Sequence, residues 1–350
     1  MKNPSGLYVH IPFCKSKCRY CDFNSFAGCR EHIAPYFSVL FKDISRYGKE
    51  YGHHFFDTVY FGGGTPSFAG AENIARTIGE LRENFNISES AEITVECNPG
   101  TIDFDGFCIL KSVGVNRISL GFQAADDKML KTLGRIHTVA DAKAAVLDAQ
   151  RAGIENISLD LMYGLPDMVL DDAEKWIDYM TALNPTHIST YALKVEEGTP
   201  FASMDLNLPD DDLCADMYEK IVEVLQKKGF NRYEISNFAK PGCESRHNLK
   251  YWNYAHYLGL GAGAHSFMDG KRFSNECGLE KFIDLAEKGD STIADAVELD
   301  TTDRMSEFMF LGLRTTVGVS MAEFENRFGK SVKEIFGEPI KKHLENGFLV

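Results

Sequence analysis

The run HIPFCKSKCRYCDF brings Cys14, Cys18 and Cys21 into one short loop. Thiolates are soft ligands, and a cubane of four irons and four sulfides is ordinarily held by four of them. With three supplied locally, one iron keeps an open coordination position. A structural zinc site would want a fourth Cys or His close by, usually as two separated pairs, and Cys29 is the only near candidate. A disulfide framework is typical of small secreted chains, whereas Cys97, Cys108, Cys214, Cys243 and Cys277 are scattered without pairing rhythm. The spacing predicts a 4Fe-4S cluster on Cys14, Cys18 and Cys21.

Other polar residues stand where strands are expected to end. Gly62-Gly63-Gly64-Thr65 follows the run TVYF directly, and glycines there let backbone approach a ligand without Cβ interference. No Lys-Ser/Thr follows, which rejects a phosphate-binding P-loop. Asp160 lies between Leu159 and Leu161, and Glu96 ends an apolar run. A carboxylate in an apolar strand costs several kcal/mol unless it is paired or faces a wet cavity, so both read as functional. Gln123 and Arg135 carry less signal, since each could be a surface residue. Farther on, HNLKYW places His247 beside Tyr251 and Trp252. An imidazole can ligate heme iron and the two rings offer flat faces to a porphyrin; an aromatic core patch with a satisfied histidine reads equally well from the residues. His256 and His265 are read as structural, and His10, next to the cysteine loop, as either a packing residue or a hydrogen-bond partner of a ligand held there.

CKSKCRYC fits the CxxxCxxC motif of the radical S-adenosylmethionine (SAM) superfamily. The longer LYVHIPFCKSKCRYCDF resembles the opening of the branch that holds oxygen-independent coproporphyrinogen III dehydrogenase and the heme chaperones. The resemblance implies a 4Fe-4S cluster whose open iron is chelated by SAM. It implies that Gly63, Gly64 and Thr65 meet the SAM amino group, that Glu96 and Asp160 hold ribose hydroxyls, and that Arg135 lies near the SAM carboxylate. Gln123 would be a further SAM contact, with Tyr8 beside the cluster. Phe23 stands where the dehydrogenase pattern has a further cysteine, and HNLKYW is similar to the HNxxYW motif of the heme chaperones. Together these imply a heme chaperone that binds heme through His247, Tyr251 and Trp252 and passes it to an acceptor protein, with an unnamed electron donor. Two alternatives are a true coproporphyrinogen III dehydrogenase and a cluster-bearing SAM binder without heme.

Positioning such residues needs a scaffold with loops at one open mouth. Strands are expected at Leu7–Ile11, Thr58–Phe61, Glu92–Glu96, Asn116–Leu120, Asn156–Leu161 and His187–Leu193, with helical spacing at Ala71–Phe85, Asp141–Ala152 and Leu170–Leu183 between them. This alternation predicts an α/β fold, a partial (β/α)6 barrel of the TIM type, and the resemblance implies the same. The chain divides on this reading into a barrel over 1–205, an extension over 206–295 carrying HNLKYW, and a helical, winged-helix-like module over 296–350. A helix is expected over 207–228, opened by Pro209 and three aspartates, and ENGFLV reads as a turn entering a strand. The resemblance implies that this module continues past residue 350.

With 37 Lys plus Arg against 51 Asp plus Glu, the formal charge is -14. That field disfavours nucleic acid and anionic lipid as partners. No apolar stretch approaches the roughly 20 residues that span a bilayer, and MKNPSG lacks the pattern of a secretion signal, so a reducing, cytoplasmic location is expected.

Overall fold

The computed structural model of the chain describes residues 4–349. Its first strand, β1 (Ser5–Ile11), is buried almost throughout, as befits an apolar run packed on both faces of a parallel sheet. Two short pieces, β2 (Phe13–Cys14) and β3 (Phe26–Ala27), pair beside it and close the cysteine loop. The barrel strands follow as β4 (Phe55–Gly63), β5 (Asn86–Cys97), β6 (Arg117–Gln123), β7 (Asn156–Tyr163) and β8 (His187–Ala192). Helices α1 (Ile33–Tyr51), α2 (Ala71–Asn84), α3 (Phe104–Ser112), α4 (Asp127–Thr132), α5 (Val139–Arg151) and α6 (Leu170–Ala182) alternate with them. From β1 through β8 every pairing is parallel and in chain order. All six expected strands are present. Asn116 lies just outside β6, its side chain bridging to β5 by accepting from Ile93 N and donating to Ala91 O, and Leu193 lies just beyond the end of β8.

After α7 (Asp211–Lys227), capped by the Asp210 carboxylate on Leu213 N, the chain returns to both edges of the sheet. Strands β9 (Asn231–Arg232) and β10 (Asn237–Ala239) run antiparallel beyond β8. Helix α8 (Arg246–Trp252) leads to β11 (Tyr257–Leu260), which lies parallel to β1 on its other side. Then β12 (His265–Met268), β13 (Lys271–Asn275) and β14 (Ile293–Glu298) extend that edge antiparallel, with α9 (Leu279–Lys288) between the last two. The result is one twelve-stranded sheet ordered β14-β13-β12-β11-β1-β4-β5-β6-β7-β8-β10-β9. Both outer barrel strands are thus taken by extension strands, and among the described residues β1 and β8 do not pair.

The main core lies between this sheet and the helices around it. Leu7, Val9, Phe61, Ile118, Leu159 and Ile188 are sealed within it, each such side chain contributing roughly 1.5–3 kcal/mol of transfer free energy. A second, smaller core joins Tyr254 and Phe267 to Met305, Phe308, Phe324 and Val332. It seats three C-terminal helices, α10 (Thr301–Gly312), α11 (Met321–Phe328) and α12 (Val332–Glu345). The expected turn forms after α12 at Asn346 and Gly347, but Phe348 and Leu349 pair with no strand, because Phe348 N and Leu349 N fold back onto His343 O. Met1–Asn3 and Val350, at the ends of the MKNPSG and ENGFLV readings, lie outside the described residues.

Candidate functional site

Each parallel strand delivers its last residues to the same mouth. The cysteine loop leaves β1 there and is tied across the barrel, Arg19 N donating to Leu133 O and Phe201 N to Arg19 O. Lys17 Nζ donates to Phe23 O at 3.0 Å and Ser25 O at 3.3 Å, which closes the loop on itself. Cys14, Cys18 and Cys21 all line one cavity of about 350 Å³, together with Gly63, Gly64, Thr65, Glu96, Gln123, Arg135 and Asp160. Phe23 lines it as well, so eleven positions singled out by sequence meet at one place. Burial pushes the Cys14 and Cys21 thiols up from their ordinary range, so loading a metal centre there must release protons.

The glycine loop is built by close approach. Gly64 N donates to Ile11 O and Thr65 N to Phe13 O, and a Cβ on Gly64 would meet backbone atoms of Phe13 and Pro12 at 2.8–2.9 Å. Thr65 then joins the cysteine loop to the next strand end. Its Oγ1 is 3.5 Å from Cys14 Sγ and accepts from Asn98 Nδ2 at 2.7 Å. Asn98 Oδ1 in turn accepts from Arg135 Nη2 at 2.6 Å, while Arg135 Nη1 lies 3.5 Å from Cys18 Sγ. This chain fixes a cation against the cysteine loop, at the edge of the cavity. Gln123 sits at φ 68, a left-handed conformation that a non-glycine residue adopts only where its surroundings impose it.

Two carboxylates stand deeper. Glu96 Oε1 accepts from Tyr60 OH at 2.8 Å and Asp160 Oδ1 from Ser119 Oγ at 3.1 Å. Burial raises Glu96 to about 7 against the pull of Tyr60, with Asp160 adding to the rise, and burial raises Asp160 to about 6 against Ser119 and Arg117. Both carboxylates line the cavity, each held by one hydroxyl and each with its proton affinity raised by burial. Asn98, Ser119, Tyr60 and the buried Arg117 were not singled out from sequence. Asn98 lies two positions beyond Glu96 in the same ECNPG run, and Arg117 is a charge in an apolar strand, the criterion that flagged Asp160.

A second cavity of about 440 Å³ adjoins the first, and Phe23, Gly63 and Glu96 line both. Its wall is aromatic: Tyr8, Tyr251 and Tyr257, with His10 and His265. Tyr8 thus faces this cavity rather than the one lined by the cysteines. Phe23 is 65% exposed, an uncovered ring at the junction. Tyr251 and Tyr257 meet edge to face at 4.6 Å. His247 and Trp252 are not on the wall. His247 is fully buried with Nδ1 2.9 Å from Thr58 Oγ1 and Nε2 2.9 Å from Tyr251 OH, and burial, then Lys250 and Arg117, lowers it to about 3. It is a neutral imidazole that orients the Tyr251 hydroxyl. Trp252 lies under the Arg314 guanidinium, 4.4 Å from its ring centre. His10 is spanned between Tyr8 OH at 3.0 Å and Asn24 O at 2.9 Å, whereas the His265 imidazole is exposed.

Comparison with known proteins places the chain first by class. Residues 8–180 match the Radical SAM superfamily and residues 299–350 the HemN C-terminal domain. Over 350 residues it is 38% identical to the heme chaperone HemW of Bacillus subtilis (strain 168), covering 98% of this chain and 92% of that protein. It is 41% identical over 277 residues to the heme chaperone HemW of Escherichia coli (strain K12), covering 77% and 72%. The chain belongs to the HemW family of the radical SAM superfamily. A solved structure of Escherichia coli coproporphyrinogen III oxidase (HemN) shares the fold, with a TM-score of 0.88 over 99% of this chain and 83% of that one at 22% identity. Among the described residues no helix is long and apolar enough to cross a membrane.

Proposed function

We propose that the chain is a heme chaperone that carries a 4Fe-4S cluster on Cys14, Cys18 and Cys21, SAM along the strand ends, and heme in the aromatic cavity beside them, for transfer to an acceptor protein. The observation that carries this reading is the pair of adjoining cavities, one lined by sulfur and charge and the other by tyrosines, sharing Phe23, Gly63 and Glu96. A reduced cluster with SAM supplies one-electron chemistry, drawing on an electron donor. The chain's own residues do the positioning. Thr65, Asn98 and Arg135 hold a cation where the SAM carboxylate belongs, Glu96 and Asp160 accept from its ribose, and Tyr8, Tyr251 and Tyr257 present faces to a porphyrin. His265 is the imidazole placed to reach heme iron, and His247 acts through Tyr251.

Coproporphyrinogen oxidation is the reading to exclude, and Phe23 in place of a further cysteine weighs against it. Anaerobically reconstituted protein should hold about four irons and four sulfides, lose them in Cys18→Ala and keep them in Cys29→Ala. It should bind hemin and form no protoporphyrinogen from coproporphyrinogen with SAM and a reductant present. His265→Ala should shift the Soret band, whereas His247→Ala should weaken hemin binding with the band in place. Protoporphyrinogen formation by cluster-loaded protein, or no hemin binding, would overturn the proposal.

A further inference from the structure

At the opposite end of the sheet, where the parallel strands begin, three segments distant in sequence converge. His54 closes the turn entering β4, His256 precedes β11, and Asp269 sits in the tight turn between β12 and β13. One ligand atom from each lies within 4.8 Å of the other two. We propose that His54, His256 and Asp269 form a binding site for a divalent transition-metal ion, with Zn2+ the best fit.

The geometry is that of a shared ion. His54 Nε2 and Asp269 Oδ2 are 3.4 Å apart. Two ligands at Zn–N and Zn–O lengths of about 2.0–2.2 Å and a tetrahedral angle stand roughly 3.3–3.5 Å apart, so this edge needs no adjustment. The third ligand atom, from His256, lies within 4.8 Å of both. Two imidazoles and one carboxylate are a borderline donor set that suits zinc above magnesium or calcium, which prefer oxygen alone.

The site is also oriented and open. The His54 side chain is 5% exposed and that of Asp269 51%, so the imidazole forms the floor and the carboxylate the rim. Aromatic rings fix both imidazoles: Phe56 stands 6.4 Å from His54, and Phe267 meets His256 edge to face at 5.5 Å. Asp269 is held at φ 49 and followed by Gly270 at φ 83, the two-residue hairpin turn that sets the register of β12 and β13. A formal charge of -14 favours any cation. An ion here would tie β4, β11 and the β12–β13 hairpin together beneath the barrel, far in the fold from the cysteine mouth.

The test uses full-length protein with its cluster reconstituted, so that Cys14, Cys18 and Cys21 are occupied, titrated with Zn2+ alone against a weak chelator. One equivalent of zinc should be retained, and its X-ray absorption should give nitrogen and oxygen neighbours at about 2.0–2.1 Å with no sulfur at about 2.3 Å. Asp269→Asn, an exposed change that leaves the fold intact, and His256→Gln should each weaken zinc binding at least tenfold while iron and sulfide content stay constant. Zinc bound through sulfur, equal zinc binding in wild type and both variants, or none in the wild type would overturn the site. None of these outcomes bears on hemin binding, so this site and the heme reading stand or fall separately.

Discussion

Glu96 and Asp160 carry a cost that the protein bears when its cavity holds only water. A carboxyl whose pKa rises on folding keeps a proton that the unfolded chain has already released. The folded state then binds more protons over that interval, and stability falls as pH rises. For Asp160 the interval runs from its ordinary 3.8 to about 6, and for Glu96 from 4.5 to about 7. Because both carboxylates line a cavity that water reaches, each costs about 1–3 kcal/mol above its interval. Glu96→Gln should therefore raise the melting temperature of ligand-free protein at pH 8 and flatten part of the decline between pH 4.5 and 7. On the proposed placement the ionised carboxylate is what accepts from the SAM ribose. SAM affinity of cluster-loaded wild type should increase between pH 6 and 8, and Glu96→Gln should lose about one to two decades of it. Calorimetric titration at the two pH values checks both statements, and affinity independent of pH in the wild type would remove Glu96 from the SAM site. Much of this residue set was readable from sequence because charge within an apolar strand is conspicuous, as with Asp160 between two leucines. Ser119 and Tyr60 were not readable, since a hydroxyl in a strand is unremarkable until the neighbouring strand brings a carboxylate within 3 Å or so.

Helix α8 shows how an element was legible as a motif but not as a structure. HNLKYW reads as an imidazole beside two rings; folded, it is a seven-residue helix in which His247 and Tyr251, one turn apart, are hydrogen-bonded, with His247 buried beneath and Tyr251 on the cavity wall. Its short length gives it little intrinsic stability, so neighbours hold it. Glu92 accepts from Arg246 N and His247 N at its N-terminus, at 3.1 and 3.0 Å, and Asp57 pairs with Arg246 and Lys250. Those partners come from β4 and β5, some 155 positions away for Glu92 and His247, a separation that local pattern cannot span. The consequence is a specific order of effects. Tyr251→Phe leaves His247 Nε2 buried without its partner and should destabilise the protein by about 1–3 kcal/mol, seen as a lower denaturant midpoint at an unchanged slope. Gly64→Ala should be more selective. Its added Cβ meets backbone, so the glycine loop must shift and SAM affinity should fall at least tenfold, while hemin binding is retained. Loss of both ligands together would mean that the two cavities are not separable as proposed.

At the scale of the whole molecule, the barrel strands and their order were legible because each has an apolar run followed by a turn, and the two ends of the sheet were not. Strands β11 to β14 are short, carry Gly, Asn and charged residues, and are specified by pairing with an edge already formed. They matter because they connect the C-terminal helices to the aromatic cavity. Glu307 on α10 grips Arg272 of β13 through two bonds of 2.7 and 2.8 Å, and Arg272 Nη1 donates to Tyr257 OH at 3.1 Å. Tyr257 is on the cavity wall. A helix that never touches the proposed ligand therefore fixes one of the rings that would face it. Paired guanidinium and carboxylate groups with this geometry are among the stronger polar contacts, and half burial keeps them from being screened away. Glu307→Gln keeps the shape and removes the charge, so the fork loosens and Tyr257 loses its fixed donor. Hemin affinity should drop roughly three- to tenfold, equivalent to about 0.7–1.4 kcal/mol, with iron content and SAM affinity unchanged. A Tyr257→Phe variant should reproduce that loss, and combining the two should add little, since both break the same chain of contacts. Hemin titrations of the two single variants and the double variant measure this directly, and full additivity would show that α10 acts on heme binding by some route other than Tyr257.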